Sequence, residues 1–157
     1  MKKVFTVAQA KGTTDIAILL FRVGIAALML SHGIPKMFGL LWVNVQFPAL
    51  FGLGAKLTLT LAVFAEVICS VFILIGLGTR LAAVPLIITM LVAAFKIHAA
   101  DPFAQQELAV MYLLAYIFLL IAGSGKYSVD YLLQQKSLKA TYNRKELEDP
   151  TLSIYNS

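Results

Sequence analysis

The sequence predicts an all-α integral membrane protein, folded as an antiparallel four-helix bundle with up-down-up-down connections. Hydrophobic residues make up 60% of the 157 residues and charged residues only 13%, whereas charged residues make up about 25% of typical soluble proteins. A soluble domain of this size exposes too much surface to hide so many apolar side chains. The mean hydropathy of +0.85 and four separate apolar runs agree with helices that lie in a lipid bilayer.

The predicted membrane-spanning helices are the apolar runs at about residues 16–35, 57–77, 81–97 and 108–122. The first two runs reach the ~20 residues that cross about 30 Å of hydrocarbon. The last two become long enough once their flanking residues join the helix. The chain therefore has the length for four spans within one domain.

The links between the runs set the predicted topology. Only Gly78, Thr79 and Arg80 separate the second run from the third, so these helices form an antiparallel hairpin in which Thr79 is expected to cap the third helix. The link at 37–56 contains Trp42 and several phenylalanines and is broken by Pro48, which favours a segment that lies in the membrane interface.

Basic residues predict the orientation, because lysine and arginine are enriched on the cytoplasmic side of short loops. They cluster before the first run, in the second link and after the fourth run (Lys2, Lys3, Lys11, Arg80, Lys126, Lys136, Lys139, Arg144 and Lys145). Both termini are therefore expected in the cytoplasm. The predicted organisation is a cytoplasmic segment at 1–14, the bundle at 15–125 and a cytoplasmic tail at 126–157. A short surface helix is expected to start near Ser128, with disorder beyond Asp149.

Several kinds of function are disfavoured by composition. The one cysteine, Cys69, excludes a dithiol centre within a single chain, and the sequence has no Cys/His metal signature. The net charge of +5 lies mostly at the two ends of the chain, which fits membrane orientation better than nucleic-acid binding. We therefore expect no metal site, no covalently bound cofactor and no nucleic-acid partner.

A glutamate, Glu66, falls near the middle of the second run. An acidic group at the bilayer centre costs about 2.5–3.5 kcal/mol on insertion scales, so a nearby partner or protonation is expected. Arg22, about seven residues or roughly 10 Å into the first helix, is the predicted ion-pair partner, because Glu66 is expected only a few Å deeper and a guanidinium can donate two hydrogen bonds to one carboxylate. The alternative is that Arg22 only anchors the helix at the interface.

Helical spacing gives the candidate buried polar site. At 100° per residue, Arg22 and Lys36 share one face of the first helix and His32 lies at its edge. In the third helix, His98 is expected to face the bundle while Lys96 extends towards the membrane surface. The candidate residues for ligand binding are Arg22, His32, Lys36, Glu66, His98 and Tyr112. As alternatives, the histidines are interfacial residues and Tyr112 is a packing residue; no catalytic residue is assigned.

Motifs in four places resemble the DoxX family of small four-helix membrane proteins. They are the segment from His32-Gly33-Ile34-Pro35-Lys36 to Gly39 with Arg22 before it, the glutamate of the second run, the Leu77-Gly78-Thr79-Arg80 turn and the 123–130 segment GSGKYSVD. The resemblance covers about residues 14–132. It implies a location in the bacterial inner membrane and an association with membrane redox complexes, since the family is named for a subunit of thiosulfate:quinone oxidoreductase. The family pattern points to Arg22, Lys36, Glu66, Arg80 and His98.

Three functions follow from these observations and remain open at the sequence level. The first is a quinone-interacting subunit of a redox system, which needs a partner redox subunit or a diffusing quinone because the chain has no electron carrier of its own. The second is a binder or transporter of a small molecule or lipid headgroup, as a monomer or a homo-oligomer. The third is a scaffold subunit whose buried charges only fix the helix register. Tight packing without a cavity around Glu66 would favour the scaffold. Whether the protein is an enzyme is left open.

Overall fold

The protein, a computed structural model, is described for residues 11–41 and 47–148, and five helices make up most of this part of the chain. Four of them are long and apolar enough to cross a membrane. They are α1 (Lys11–Gly39), α2 (Ala55–Ile75), α3 (Thr79–Ile97) and α4 (Phe103–Ala122). A fifth, polar helix, α5, spans Val129–Glu148. The described residues contain no strand, so the predicted all-α fold with four membrane-spanning helices is confirmed.

Helices α1 and α2 run antiparallel, as their contacts show. Along α1, Arg22 lies beside Gly76 at the end of α2, whereas Gly39 lies beside Leu59 near the start of α2. Helices α1 and α4 are also antiparallel. The ring of Phe21 meets the ring of Phe118 edge-on, and eleven residues later in α1 the ring of His32 packs against Tyr112, which precedes Phe118 in α4. The two ends of the bundle are therefore built from different residues. The end with the α2–α3 link is the one predicted to face the cytoplasm.

The centre of the bundle is filled by small and apolar side chains from all four spanning helices. They include Ala26, Met29, Ile73, Ala83, Leu86, Ala94, Tyr116 and Leu119. Small residues let helix backbones approach closely in a membrane, where burial of apolar area does not drive helix association. Gly33 is one such case, since a Cβ there would lie 2.9 Å from the Cβ of Glu66. Helices α1 and α2 are therefore packed tightly at the level of that carboxylate.

Helices α2 and α3 each contain a π-helical turn. One spans Phe64–Cys69 and includes Glu66, and the other spans Ala93–Ile97 at the end of α3. A π-helical turn adds one residue to the helical repeat and turns the following side chains to a new direction, and such turns are frequent at functional sites. Both turns lie beside the cavities described below. A fixed rotation of 100° per residue, as used for the sequence, does not apply to them.

The helix boundaries differ from the sequence expectation at several ends. Helix α1 starts at Lys11 and α4 starts at Phe103, because the polar residues next to each apolar run continue the helical hydrogen bonding. The expected cap of the third helix by the side chain of Thr79 is wrong. Asp130 takes that role from the far end of the chain, with its carboxylate accepting hydrogen bonds from Gly78 N at 2.7 Å and Thr79 N at 3.4 Å.

The segment after α4 is fastened to the bundle before α5 begins. Ser128 is buried, and the backbone N–H of Asp130 donates to the carbonyl of Gly76 at 3.0 Å. Helix α5 is longer than the short surface helix that the sequence predicts. The expectations for Trp42 and for the chain beyond Asp149 concern residues outside the described ranges.

Candidate functional site

An ion pair between Lys36 of α1 and Glu66 of α2 forms the centre of the candidate site. The Nζ atom of Lys36 lies 2.6 Å from Oε1 and 2.7 Å from Oε2 of Glu66, so one ammonium group contacts both carboxylate oxygens. The side chain of Glu66 is 3% exposed and that of Lys36 is 36% exposed. The costly carboxylate in the apolar interior is therefore compensated by a charge-assisted contact.

Arg22 is not the partner of Glu66, and the predicted Arg22–Glu66 contact is wrong. The guanidinium of Arg22 is buried and donates to the backbone carbonyl of Ser124 and, at 2.7 Å, to that of Tyr127. These carbonyls belong to the segment between α4 and α5. Arg22 therefore fastens that segment to α1 at the end of the bundle opposite to Lys36.

The reason for this difference is the relative depth of the helices. Arg22 lies beside Gly76 at the end of α2, where a Cβ on Gly76 would collide with the guanidinium. Glu66 precedes Gly76 by ten residues, or about 15 Å of helix. Lys36 follows Arg22 by fourteen residues, or about 21 Å, so its backbone lies about one turn beyond Glu66, a distance that the lysine side chain spans. Helix α1 extends beyond the end of α2, so a depth counted from its first apolar residue places Arg22 too near to Glu66.

A polar cavity of about 180 Å³ lies on one side of the ion pair, between α1, α3 and α4. Five of the six candidate residues line it, and Arg22 does not (His32, Lys36, Glu66, His98 and Tyr112). The ring of His32 meets the ring of Tyr112 edge-on, with 5.8 Å between centroids, and Tyr112 stacks on Tyr116 at 6.2 Å. The imidazole of His32 and the hydroxyl of Tyr112 can form hydrogen bonds with a small polar ligand or water in the cavity.

His98 lies where α3 ends. Its Nδ1 is 2.7 Å from Oδ2 of Asp101, while the side chain of Gln106 donates to the carbonyls of both residues at 2.8 and 3.0 Å. The imidazole is therefore held by a carboxylate at the end of the cavity. Lys96 points away from this cavity, because its Nζ lies 5.8 Å from the ring centroid of Phe51.

A second, apolar cavity of about 250 Å³ lies on the other side of the same ion pair, between α2, α3 and the residues that precede α2. Lys36 and Glu66 are its charged residues, and its walls are aliphatic and aromatic side chains (Phe47, Leu50, Phe51, Leu53, Leu61, Ile88, Val92 and Ile97). Ala93, at the start of the π-helical turn of α3, lines both cavities. The ion pair thus separates a polar compartment from an apolar one.

Sequence reasoning missed the apolar cavity entirely. Its wall includes Phe47, Leu50 and Phe51 from a link that has no helical or strand periodicity, so no spacing rule could orient them. The only signal was compositional, since that link is rich in phenylalanine and leucine. The position of Ala93 between the two cavities could not be predicted either, because an alanine in an apolar run carries no chemical signature.

Two basic residues of the cavities already contact carboxylates. Lys36 is paired with Glu66, and His98 is paired with Asp101. The described residues contain no group of three or more His, Cys, Asp or Glu side chains that could hold a metal ion. The arrangement suits a neutral ligand that accepts a hydrogen bond from an ammonium group and offers an apolar surface to the rest of the wall.

Comparison with known proteins gives the family. The DoxX family matches residues 17–99. An uncharacterized membrane protein of Mycobacterium tuberculosis is 34% identical over 88 residues, which cover 46% of this chain and 53% of that protein, so the chain spans about half the length of that relative. An uncharacterized protein of Haemophilus influenzae is 27% identical over 130 residues, covering 78% of this chain and 86% of that protein. No solved structure matches. Because the family match covers more than half of the sequence, the chain belongs to the DoxX family of membrane proteins.

Proposed function

We propose that this protein binds a neutral, lipid-soluble carbonyl compound of the quinone class next to the Lys36–Glu66 pair, as a subunit of a redox system in the bacterial cytoplasmic membrane. The observation that carries the proposal is the apolar cavity that ends at a charge-neutral ion pair. A quinone has a flat apolar ring with carbonyl acceptors at its edge. The ammonium group of Lys36 is the donor for one carbonyl, and the aliphatic and aromatic wall packs against the ring.

The route into the apolar cavity supports a ligand that is dissolved in the membrane. Leu61 and Ile88 line the cavity and are also more than half exposed on the outside of the bundle, at 52% and 56%. Because this outer surface faces lipid in a membrane-spanning bundle, the wall of the cavity borders the acyl chains on this side. A lipid-soluble molecule approaches the cavity from within the membrane, whereas a water-soluble substrate would first have to enter the bilayer.

The charge balance favours a neutral ligand over an anion or a lipid phosphate. An anion would have to compete with Glu66 for Lys36 and with Asp101 for His98, since both of these basic groups already contact a carboxylate. Breaking a buried pair by removing one partner leaves an uncompensated charge, which is strongly unfavourable. A quinone carbonyl needs no such exchange, because an ammonium group has three donors and contacts Glu66 with part of them.

The cavities also favour a ligand-binding role over a scaffold. A buried ion pair that only fixes helix register needs close packing on all sides, and open space beside it weakens the dispersion contacts that hold the helices together. Around Glu66 the packing is tight towards Gly33. On two other sides the pair borders cavities of about 180 and 250 Å³.

Cavity filling tests this proposal. The protein is reconstituted in lipid nanodiscs, and equilibrium binding of decylubiquinone is measured by quenching of intrinsic fluorescence. Ala62→Leu, in the wall of the apolar cavity, removes space without changing a charge and is expected to weaken binding by about tenfold, or about 1.4 kcal/mol. Ala27→Leu, on the exposed surface of α1, is the matched control and is expected to bind like the wild type.

Two results would contradict the proposal. The first is wild-type protein that takes up no more decylubiquinone than empty nanodiscs. The second is equal weakening by Ala62→Leu and Ala27→Leu, which would show that the quinone binds at the general lipid surface. Mass spectrometry of lipids extracted from the purified wild-type protein then identifies the native quinone, which should be depleted in Ala62→Leu.

A further inference from the structure

We infer that Phe51 is a gate at the mouth of the apolar cavity, and that Lys96 holds this gate closed. The inference rests on the proposed function for the identity of the ligand that passes, but the gate itself follows from the geometry of the 47–54 loop. Phe51 lines the apolar cavity while its side chain is 71% exposed. The residue therefore has one edge towards the cavity and the rest of its ring outside, as expected for a side chain that covers an opening.

The backbone of Phe51 supports a role that is not merely packing. Its φ is +53°, which makes it the one non-glycine residue with positive φ in the described part of the chain. Bulky side chains are rare in this left-handed region. Residues held in such conformations are stabilised by their surroundings and cluster at binding sites and switch regions. The neighbouring Gly52, at φ +74°, adopts the same region without steric conflict.

The two ends of the 47–54 loop are fixed, so that movement is restricted to its centre. At one end Phe47 packs against the cluster of Leu59, Val63 and Val67 on α2. At the other end the hydroxyl of Thr58 accepts a hydrogen bond from Leu50 N at 3.4 Å and donates to the carbonyl of Gly54 at 3.2 Å. The tight turn closed by Leu53 N and the carbonyl of Leu50, at 2.8 Å, carries Phe51 between these anchors.

Lys96 supplies the contact that holds the ring. Its ammonium group lies 5.8 Å from the centroid of the Phe51 ring, within the distance at which a cation is attracted to an aromatic face. Lys96 belongs to the π-helical turn Ala93–Ile97, whose first and last residues also line the apolar cavity. The same turn therefore shapes the cavity wall and carries the residue that secures its cover. Because the contact is exposed, it is weak enough to open and close readily.

The kinetic consequence is specific to a gate. A gate changes the association and dissociation rates of a ligand together and leaves the equilibrium constant nearly unchanged, whereas a contact residue acts mainly on dissociation. Lys96→Gln removes the cation and is expected to raise both rates of decylubiquinone exchange about threefold to fivefold, the range open to an exposed cation–π contact. Phe51→Gly removes the ring itself, which is also part of the cavity wall, so the association rate is expected to rise about tenfold and the dissociation rate by more than that.

The experiment is stopped-flow fluorescence of the full chain in nanodiscs, mixed with decylubiquinone-loaded or empty nanodiscs. Lys96→Arg keeps the cation and should exchange at the wild-type rate. Lys56→Gln, another exposed lysine, and Phe95→Ala, an exposed phenylalanine elsewhere on the same turn, are the matched controls. Wild-type rates in Lys96→Gln, or a change in its dissociation rate alone, would overturn the gate.

Hydrogen–deuterium exchange of the ligand-free protein separates this inference from the proposed function. Amides of the 47–54 loop should exchange faster in Lys96→Gln than in the wild type or in Lys56→Gln, with no change in α4. Equal exchange in all three proteins would overturn the gate. If the wild type binds no decylubiquinone and the loop still exchanges faster in Lys96→Gln, the proposed ligand class is wrong and the gate stands.

Discussion

Helix α1 carries two basic residues fourteen positions apart, Arg22 and Lys36, and their surroundings differ in almost every respect. Arg22 is 1% exposed and donates to two backbone carbonyls of the segment after α4. Arg22 and Ser128 pack closely against Gly76, since a Cβ on Gly76 would collide with the side chains of both residues. Lys36 is 36% exposed, contacts a carboxylate and borders two cavities. The same helix therefore holds one basic residue in tight packing and one beside open space.

The comparison separates a structural charge from a candidate binding charge. Backbone carbonyls have a fixed position and no alternative protonation state, so the contacts of Arg22 can only fasten two segments together. The Lys36–Glu66 pair lies between compartments of opposite polarity, where a ligand can reach it from either side. The carboxylate of Asp130, which caps α3, is also close enough to attract the guanidinium of Arg22 electrostatically. The predictions below test whether the two regions differ in this way.

Removing Arg22 is expected to have the largest effect on stability. Arg22→Met leaves the partly buried carbonyls of Ser124 and Tyr127 without their donors and removes a buried side chain, which together cost about 3 kcal/mol of unfolding free energy. The quinone affinity of the folded protein should not change, because Arg22 is remote from both cavities. The measurement is a chemical unfolding curve in mixed micelles, followed by decylubiquinone binding in nanodiscs.

Arg80→Met is the matched control for that change. Arg80 is exposed and donates one hydrogen bond, at 3.0 Å, to the carbonyl of Ile121, so its loss should cost about 1 kcal/mol or less. Similar losses for the two variants would mean that Arg22 is no more structural than a surface arginine. A loss of quinone affinity in Arg22→Met would show that the two regions of α1 are coupled.

Replacing Lys36 is expected to affect both stability and binding. Lys36→Met leaves the carboxylate of Glu66 buried without a partner and should lower the unfolding free energy by about 2 kcal/mol, less than for a pair that is buried on both sides. The double variant Lys36→Met/Glu66→Leu removes both charges and should recover most of the lost stability. Decylubiquinone binding should stay about tenfold weaker in the double variant, because the carbonyl donor is absent.

The double variant decides between a structural and a functional ion pair. Recovery of stability together with wild-type affinity would identify Lys36 and Glu66 as a register device only. If stability is not recovered, the pair does more for the fold than a hydrophobic replacement can.

The sequence predicted the four spanning helices well because their signal is composition over about 20 residues, which neither a shifted boundary nor a π-helical turn disturbs. It placed His32, Lys36, Glu66, His98 and Tyr112 among the candidate residues, and these five meet at one cavity. It paired Glu66 with the wrong cation, because the sequence holds no information on how far α1 extends past α2. The position of the 47–54 phenylalanines in the cavity wall could not be predicted, since side-chain direction in an irregular segment depends on tertiary contacts that no local pattern encodes.

The smallest expected effect on stability concerns the two glycines that lie between Arg22 and Lys36 on α1. It tests whether the close packing of α1 against α2 near Lys36 is needed for the ion pair. A Cβ on Gly33 would lie 2.9 Å from both the Cβ of Glu66 and Cγ2 of Val67, whereas a Cβ on Gly24 meets nothing within 4 Å. Gly33→Ala should therefore push α1 and α2 apart and lower the unfolding free energy by about 1–2 kcal/mol. Gly24→Ala should raise it by about 0.5 kcal/mol, because alanine restricts the unfolded chain and favours the helix.

The opposite signs are the informative result, since both changes add one methyl group to the same helix. Gly33→Ala should also weaken decylubiquinone binding, because the displaced helix carries Lys36 away from Glu66 and opens the boundary between the two cavities. Chemical unfolding and binding in nanodiscs measure the two effects on the same preparations. If Gly33→Ala is as stable as Gly24→Ala, helices α1 and α2 have room to relax at this level. The close contact beside Glu66 would then contribute nothing to the geometry of the ion pair.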